Sequence, residues 1–250
     1  MKNFFYLCFL LCFLAFPCEG FSQAQAGSGD PVVRTTEVDV QAEQAIGSEY
    51  RSQINSALEL IKQKDFQRAG DLLDEVIMAF KTDIIPENEP FIVAHSQEEF
   101  DECLKEIGLE KASWLDWSYK EAYFLKAFMA TEKRDPDSAL KYLEIVISFS
   151  PYDARPLCER GFILNQLKRP GEALAEYQAA YELTEKFEFN KVMQPIVLRG
   201  MGYAYIELGD LDKAEESYKK SLEIDKGNSI ALQELAYIEN LKKEQNPSGK

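Results

Sequence analysis

The chain has few side chains that could support catalysis. His95 is the only histidine among 250 residues, so a Ser-His-Asp or Cys-His arrangement would have to use it. Glu98 or Glu99 could then serve as its partner, which defines a hypothetical enzyme site. A lone histidine in an irregular stretch is, however, typical of a surface or capping residue. No metal-ligand spacing, glycine-rich phosphate loop or calcium loop accompanies it. We therefore predict no catalytic residue, no metal and no cofactor.

The cysteines do not form a disulfide framework. Three of the five, at positions 8, 12 and 18, fall within the N-terminal apolar segment. Cys103 and Cys158 remain for a body of more than two hundred residues. A bond between these two is possible, but unpaired burial is the interpretation that the pattern favours, because cysteine often packs as a small apolar side chain.

The charge balance restricts the partners. Twenty-eight Lys and Arg against 43 Asp and Glu give a formal net charge of −15. Such a surface repels phosphates, so nucleic acid and anionic lipid headgroups are poor candidates. With 46% hydrophobic and 12% aromatic residues, the chain can build one or two globular domains.

The first residues are typical of a secretory signal peptide. Lys2 precedes an uncharged, mostly apolar run over 4–16, which is too short to span a bilayer. A small-x-small cleavage site follows at Ala24-Gln25-Ala26. A retained anchor and lipidation at Cys18 are the alternatives, the second disfavoured by the bulky residues before it. We expect a signal peptide over 1–26 and an exported mature chain that does not insert into membranes, periplasmic in a Gram-negative bacterium and otherwise secreted.

The body of the chain is a repeat of helix pairs. Ala139, Ala173 and Ala214 lie 34 and 41 residues apart. The same steps separate small residues twelve positions earlier and large residues four positions later. Small residues at facing positions let two antiparallel helices approach closely, and the bulky residue fills the space beside them. The small and large sets are Ala127, Gly161, Gly202 and Leu143, Tyr177, Tyr218.

This pattern resembles the tetratricopeptide repeat family. The resemblance is carried by residues in units at 120–153, 154–187 and 195–228, followed by a capping helix to 243. It implies an all-α fold, a right-handed superhelix of antiparallel helix pairs with a C-terminal capping helix. The residues that carry it are Leu198, Gly202, Tyr205, Ala214, Tyr218 and Ser221, then Leu157, Gly161, Leu164, Ala173, Tyr177 and Ala180, and finally Tyr123, Ala127, Ala130, Ala139, Leu143, Val146 and Pro151.

The flanking segments are less regular. We expect a flexible lead-in over 27–46, degenerate helical repeats over 47–119 and a polar tail over 244–250. Within 47–119, a unit at 50–83 precedes one whose first helix is spoiled by prolines and whose second helix opens with a capping box at Ser96.

Three further features concern packing. Cys103 occupies the small packing position of that second helix, and Phe91 to Ala94 is short and extended. Trp114 and Trp117 are more typical of buried side chains than of a binding edge. Seven extra residues around 184–190 should lengthen one or both of the helices that flank them.

The resemblance also implies a concave groove lined by the first helix of each unit. Its ninth positions are aromatic in every unit from 120 onward, which suggests a platform for an apolar or aromatic segment. The alternative is that these rings pack on one another or under the next helix. The family's carboxylate clamp is not reproduced, since Arg199 is the one basic residue at these positions. The predicted groove residues are Phe124, Phe128, Cys158, Phe162, Asn165, Arg199, Tyr203, Ile206 and Tyr237.

The function predicted from these features is that of a non-catalytic, exported scaffold or adaptor. It would bind a protein or peptide partner with apolar or aromatic anchors through the groove. One alternative is a homo-oligomerising structural protein of the cell envelope that associates through its solenoid ends or through Phe187 and Phe189. The other is an enzyme that uses His95.

Overall fold

A computed structural model describes residues 45–84 and 89–245, with only the backbone of Asp83 and Ile84. The predicted signal peptide, most of the predicted lead-in and residues 246–250 of the predicted tail lie outside the described residues. Two boundaries differ from the sequence prediction. Ala45 is buried and Ile46 bonds to a neighbouring strand, so these two residues are not part of a flexible lead-in. At the other end, the last helix continues through Gln245.

Ten α-helices form the described part of the chain, and most of them are consecutive antiparallel pairs. The pairs are α1–α2, α4–α5, α6–α7 and α8–α9, and α10 packs against α9 as the cap. The all-α solenoid of helix pairs is therefore confirmed. The helices are α1 Arg51–Lys62, α2 Phe66–Ala79, α3 Gln97–Ile107, α4 Ser118–Glu132, α5 Pro136–Phe149, α6 Ala154–Gln166, α7 Pro170–Lys186, α8 Gln194–Leu208, α9 Leu211–Ile224 and α10 Ser229–Gln245.

The turn between the two helices of each pair repeats the same backbone conformation. Lys64, Arg134, Lys168 and Gly209 all have a left-handed φ of between 60° and 80°. Their spacing follows the spacing of the buried alanines. In three of the four turns the next residue is an aspartate whose side chain accepts a hydrogen bond from the first turn of the second helix. The reversal is thus encoded locally in each unit.

Small and large residues pack across each pair as the spacing predicts. Ala139, Ala173 and Ala214 are fully buried. A methyl group built on Gly161 would lie 2.9 Å from Cζ of Tyr177. The absence of a side chain at this glycine is therefore what lets the tyrosine ring of the second helix lie against the first.

Residues 89–116 depart from the repeat. Where the sequence predicts a first helix spoiled by prolines, the structure has strand β1, Phe91–Ala94, which pairs in parallel with β2, Ser113–Asp116. The second helix of the predicted unit is present as α3, so the prediction of a degenerate helix pair is half correct. Because α2 packs directly on α4, the strands and α3 form an insertion beside the stack and not a layer within it.

Helix α3 begins and ends as the sequence predicts. The Ser96 hydroxyl accepts a hydrogen bond from the Glu99 backbone N–H at 3.3 Å, and Gly108 closes the helix with φ 75°. Cys103 is buried on this helix. It is a free thiol, so the disulfide with Cys158 that the sequence left open does not form.

Replacing Ser96 with Ala removes the cap of α3. We expect the free energy of unfolding to fall by about 1 kcal/mol, because one backbone donor of the first turn loses its acceptor. Urea denaturation measures the change. Ser96→Asp, which restores an acceptor, should recover most of the loss, and a Ser96→Ala variant as stable as the parent would mean that water caps this helix equally well.

The two tryptophans pack within the insertion and against the start of α4. Inside the insertion, Trp114 stacks on Phe100 and donates from Nε1 to the Ala94 carbonyl oxygen at 3.0 Å. Trp117 is buried and stacks on His95. Packing inside the protein, the interpretation favoured for the two tryptophans, is therefore confirmed.

A buried ionic cluster joins the insertion to the stack. Lys120 of α4 is 1% exposed and lies 2.9 Å from Asp153, which caps α6, and 3.4 Å from Glu99 of α3. Burial alone would raise the pKa of the Glu99 carboxyl, but Lys120 and His95 outweigh it and hold the pKa at about 2. Burial likewise opposes ionisation of Lys120, and its two carboxylates raise its pKa above the ordinary value. The cluster is therefore fully ionised at neutral pH.

The extra residues between the second and third units lengthen helix α7, as predicted. Helix α7 has 17 residues, against 14 in α5 and α9, and a 3₁₀ helix follows over Glu188–Met193. Phe187 is buried against Tyr152 and Phe189. This ring is therefore not exposed for the self-assembly that the sequence left open.

In the described ranges, none of the helices combines the length and the apolar character that a membrane span requires.

Candidate binding groove

The aromatic ninth positions lie on successive first helices and differ in exposure. Phe128 on α4 is buried, Phe162 on α6 and Tyr203 on α8 are partly buried, and Tyr237 on α10 is 43% exposed. Packing, the alternative interpretation, therefore applies at Phe128. Accessible ring surface is present at the other three positions. We call the row formed by Phe162, Tyr203 and Tyr237 the ring row.

The residues at the fifth positions, which were predicted to line the groove, contact neighbouring helices. Phe124 is buried, and the Arg155 guanidinium of α6 lies 3.9 Å above its ring while also pairing with Glu121. Arg199 bonds to Ser221 of α9 at 3.2 Å and to Asp225, which directly follows α9, at 3.1 Å. The basic residue predicted to face the groove is therefore held by the second helix of its own unit.

The other predicted groove residues belong mainly to the packed interior. Cys158 lies in the core cluster formed by α6, α7 and α8. Ile206 is partly buried against the core between α9 and α10. Asn165 is buried, and its Oδ1 has no hydrogen-bond partner in the part of the chain that the structure describes.

The C-terminal end of the ring row is acidic. Burial, Glu207, Glu234 and the neighbouring Tyr237 together raise the pKa of Tyr203 to about 12. Burial also raises the pKa of Glu234 above its ordinary range. Glu207 also pairs with Lys168 at 2.9 Å, so Glu234 is the carboxyl at this end that no described cation pairs with.

Glu159 is a buried carboxyl on a first helix that the sequence does not single out. It lies one turn after Arg155 on α6 and is 4% exposed. Burial raises the pKa of its carboxyl to about 8, against the opposing effect of Arg155. The sequence around Glu159 is typical of an exposed, charged face of a helix. The available signal was the i, i+4 spacing from Arg155 on the face that carries Phe162.

His95 and its neighbours form a structural cluster. The His95 Nδ1 lies 3.0 Å from Glu99 Oε2, and the imidazole stacks on Trp117. Burial and the Glu99 charge raise the pKa of the nearby Cys103 thiol to about 12, so it stays protonated at neutral pH. Among the described residues, no group of His, Cys, Asp and Glu could hold a metal ion.

A cavity of about 210 Å³ lies between the insertion and the stack. Phe91, Cys103, Tyr152 and Phe189 contribute to its walls. Two acidic side chains, of Glu99 and Asp153, also reach it, and both are already paired with Lys120. Both carboxylates therefore already have a cationic partner inside the protein.

Comparison with known proteins agrees with this architecture. Residues 152–227 match the family model described as tetratricopeptide repeat, which supports the resemblance inferred from the sequence. No curated protein sequence matches the chain significantly.

Solved structures share the fold at low sequence identity. PilF of Pseudomonas aeruginosa is 15% identical with a TM-score of 0.56, over 79% of this chain and 71% of that one. MamA is 16% identical with a TM-score of 0.51, over 74% of this chain and 84% of that one. A double mutant of MamA RS-1 is 14% identical with a TM-score of 0.52, over 80% and 88%. These similarities establish a shared fold.

Proposed function

We propose that this protein is a non-catalytic scaffold or adaptor that binds a protein or peptide segment along its first helices. The observation that carries the proposal is the ring row. Phe162, Tyr203 and Tyr237 lie at the same position of successive first helices and keep accessible ring surface. Rings so placed offer a large contact area at a small cost in side-chain entropy.

The charges near the ring row narrow the class of partner. Glu207 pairs with Lys168 at 2.9 Å, and Arg199 is bonded to Asp225. Glu234 therefore remains as the carboxyl acting on Tyr203 that no described cation pairs with. An acidic peptide would therefore meet like charge along this face, and the partner should present apolar or aromatic anchors without carboxylates beside them.

Export is part of the proposal. It is supported by the apolar run over 4–16 and the small residues at 24–26, which together are typical of a cleaved signal. N-terminal sequencing of the protein recovered from its native cell tests it. A mature N-terminus close to residue 27 is expected, and an intact Met1 would contradict cleavage.

The binding proposal can be tested with a random twelve-residue peptide library displayed on phage. The wild-type protein should enrich peptides with aromatic or large aliphatic residues. Phe162→Ala combined with Tyr203→Ala should weaken a selected peptide by more than about tenfold, since two anchoring rings are lost. Fluorescence anisotropy measures the affinity. Tyr142→Ala, which truncates an aromatic side chain on the second helix α5, is the matched control and should bind normally.

The same double variant separates binding from packing. Its helix content and the cooperativity of its thermal unfolding should match those of the wild type. Loss of the fold would show that these rings are core residues, and unchanged affinity would show that peptides bind elsewhere; either result contradicts the proposed groove.

A further inference from the structure

We propose that the groove selects partners that carry a lysine or arginine side chain beside their apolar anchors, and that the Glu159 carboxylate receives this cation. The inference rests on the proposed function, because it specifies the chemistry of the segment that the same face binds. It differs from the binding of acidic peptide termini, for which the groove lacks the basic residues.

Position is the first argument for Glu159. On an α-helix, residue 159 lies about 40° from Arg155 and about 60° from Phe162, so all three occupy one face of α6. Arg155 identifies that face as the one turned toward α4, because it contacts Glu121 and the ring of Phe124. The Glu159 carboxyl therefore lies between the packed start of the groove and the ring row.

The second argument is that Arg155, the one cation of the described residues that acts on the Glu159 carboxyl, has other partners. The Glu159 side chain is more than nine-tenths buried, yet no hydrogen bond or ion pair from a described residue ends on its oxygens. Arg155, the nearest cation, is already paired with Glu121 and lies over an aromatic ring. A buried carboxylate without a partner is costly when ionised, so a cation delivered by a ligand would be strongly favoured there.

The groups near Glu159 favour the binding of a positively charged group. Burial raises the pKa of the Tyr177 phenol of α7 well above its ordinary value, Glu159 adds to this effect, and Asn165 hydrogen-bonds to the same phenol. Glu207, farther along the chain, already pairs with Lys168 at 2.9 Å, so it adds little negative charge to this face. The Glu159 carboxyl is therefore the acceptor that this face offers to an incoming N–H donor.

Ionisation of Glu159 should make the affinity for a basic peptide depend on pH. Because the pKa of its carboxyl is raised to about 8, the side chain is largely protonated at pH 6.5 and largely ionised at pH 9. A lysine ammonium keeps its charge over this interval, since its ordinary pKa is about 10.4. The preference for a basic peptide should therefore increase as the pH rises, whereas an ordinary carboxylate would give a flat profile.

The test uses the same random peptide library on the wild type, on Glu159→Gln and on Glu182→Gln, an exposed glutamate of α7 that serves as the control. Wild type and control should enrich peptides with Lys or Arg at a fixed distance from an aromatic residue. Glu159→Gln should enrich the aromatic residue alone. A selected lysine peptide should lose about tenfold in affinity for the wild type when its lysine becomes norleucine, and less than about twofold for Glu159→Gln. The tenfold ratio should increase between pH 6.5 and pH 9.

The outcomes separate the two proposals. Equal enrichment of basic residues by wild type and Glu159→Gln, or aromatic enrichment without basic residues, would overturn the role of Glu159 and leave the binding groove in place. Failure of the wild type to enrich any peptide would overturn the proposed function, and the inference with it. Thermal unfolding of Glu159→Gln at or above the wild-type temperature is expected, since Gln fills the same volume without the buried charge.

Discussion

Replacing Lys120 with Met is expected to lower the free energy of unfolding by about 3–5 kcal/mol at pH 7. Lys120 is 1% exposed and is the counter-ion of both Glu99 and Asp153. Methionine fills a similar volume but leaves two buried carboxylates without compensation. Urea denaturation followed by far-UV circular dichroism measures the loss.

The pH dependence of this loss has a definite sign. In the wild type the pKa of Glu99 is lowered from 4.5 to about 2, so its stabilising contribution is complete above pH 4.5 and is lost as the pH falls toward 2. Without Lys120 the two carboxyls are buried with little compensation, which raises their pKa values. The Lys120→Met variant should therefore be weakest relative to wild type at neutral pH, and the difference should shrink by pH 3.

Two further variants control this experiment. Lys105→Met removes an exposed lysine of α3 and should change the stability by no more than about 0.5 kcal/mol. Adding Glu99→Gln and Asp153→Asn to Lys120→Met should recover most of the lost stability, because no buried charge then remains and Asn can still cap α6. A Lys120→Met protein as stable as wild type at pH 7 would mean that water already solvates the two carboxylates.

The helix pairs were predictable because their signals are local and repeated. The step of 34 or 41 residues appears in the alanines, in the small residues and in the large ones, and the same steps separate the left-handed turn residues Arg134, Lys168 and Gly209. Each signal lies within one unit, so the repeat can still be identified when one position deviates from the pattern.

The insertion was predictable only in part, since a parallel strand pair depends on distant residues. The extended character of Phe91–Ala94 and the cap at Ser96 are local and were predicted. Strand Ser113–Asp116 has no alternating pattern of its own and is defined by pairing across a helix. Likewise, no local signal links Glu99, Lys120 and Asp153, which meet only when three segments pack.

The groove residues could also be predicted only in part. The aromatic ninth positions could be identified from the spacing, but their exposure could not, because it depends on the neighbours of each helix. Phe128 is buried, whereas Tyr237 lies on α10, the last described helix, and is 43% exposed. Glu159 looked like an ordinary surface glutamate because burial of a carboxyl is a property of the assembled helices.

Replacing Tyr218 with Ala is expected to lower the free energy of unfolding by about 3–5 kcal/mol, through the cavity left in a packed core. Tyr218 is 2% exposed and joins Leu211, Ala214, Ala231 and Ile238 in the cluster that unites α9 with the capping helix α10. Urea denaturation gives the change. Leu232→Ala, on the half-exposed face of α10, is the control and should cost less than about 1 kcal/mol.

The glycine facing this ring provides the sharper version of the test. A methyl group at position 202 would lie 2.6 Å from Cε2 of Tyr218, so Gly202→Ala alone should cost about 1–3 kcal/mol. In the Tyr218→Ala background the obstruction is gone, and alanine should instead stabilise the helix by up to about 1 kcal/mol. The two substitutions must therefore be strongly non-additive. Strict additivity would show that the ring does not lie against residue 202, and the small-against-large packing inferred for every unit would be wrong at the place where it is most clearly seen.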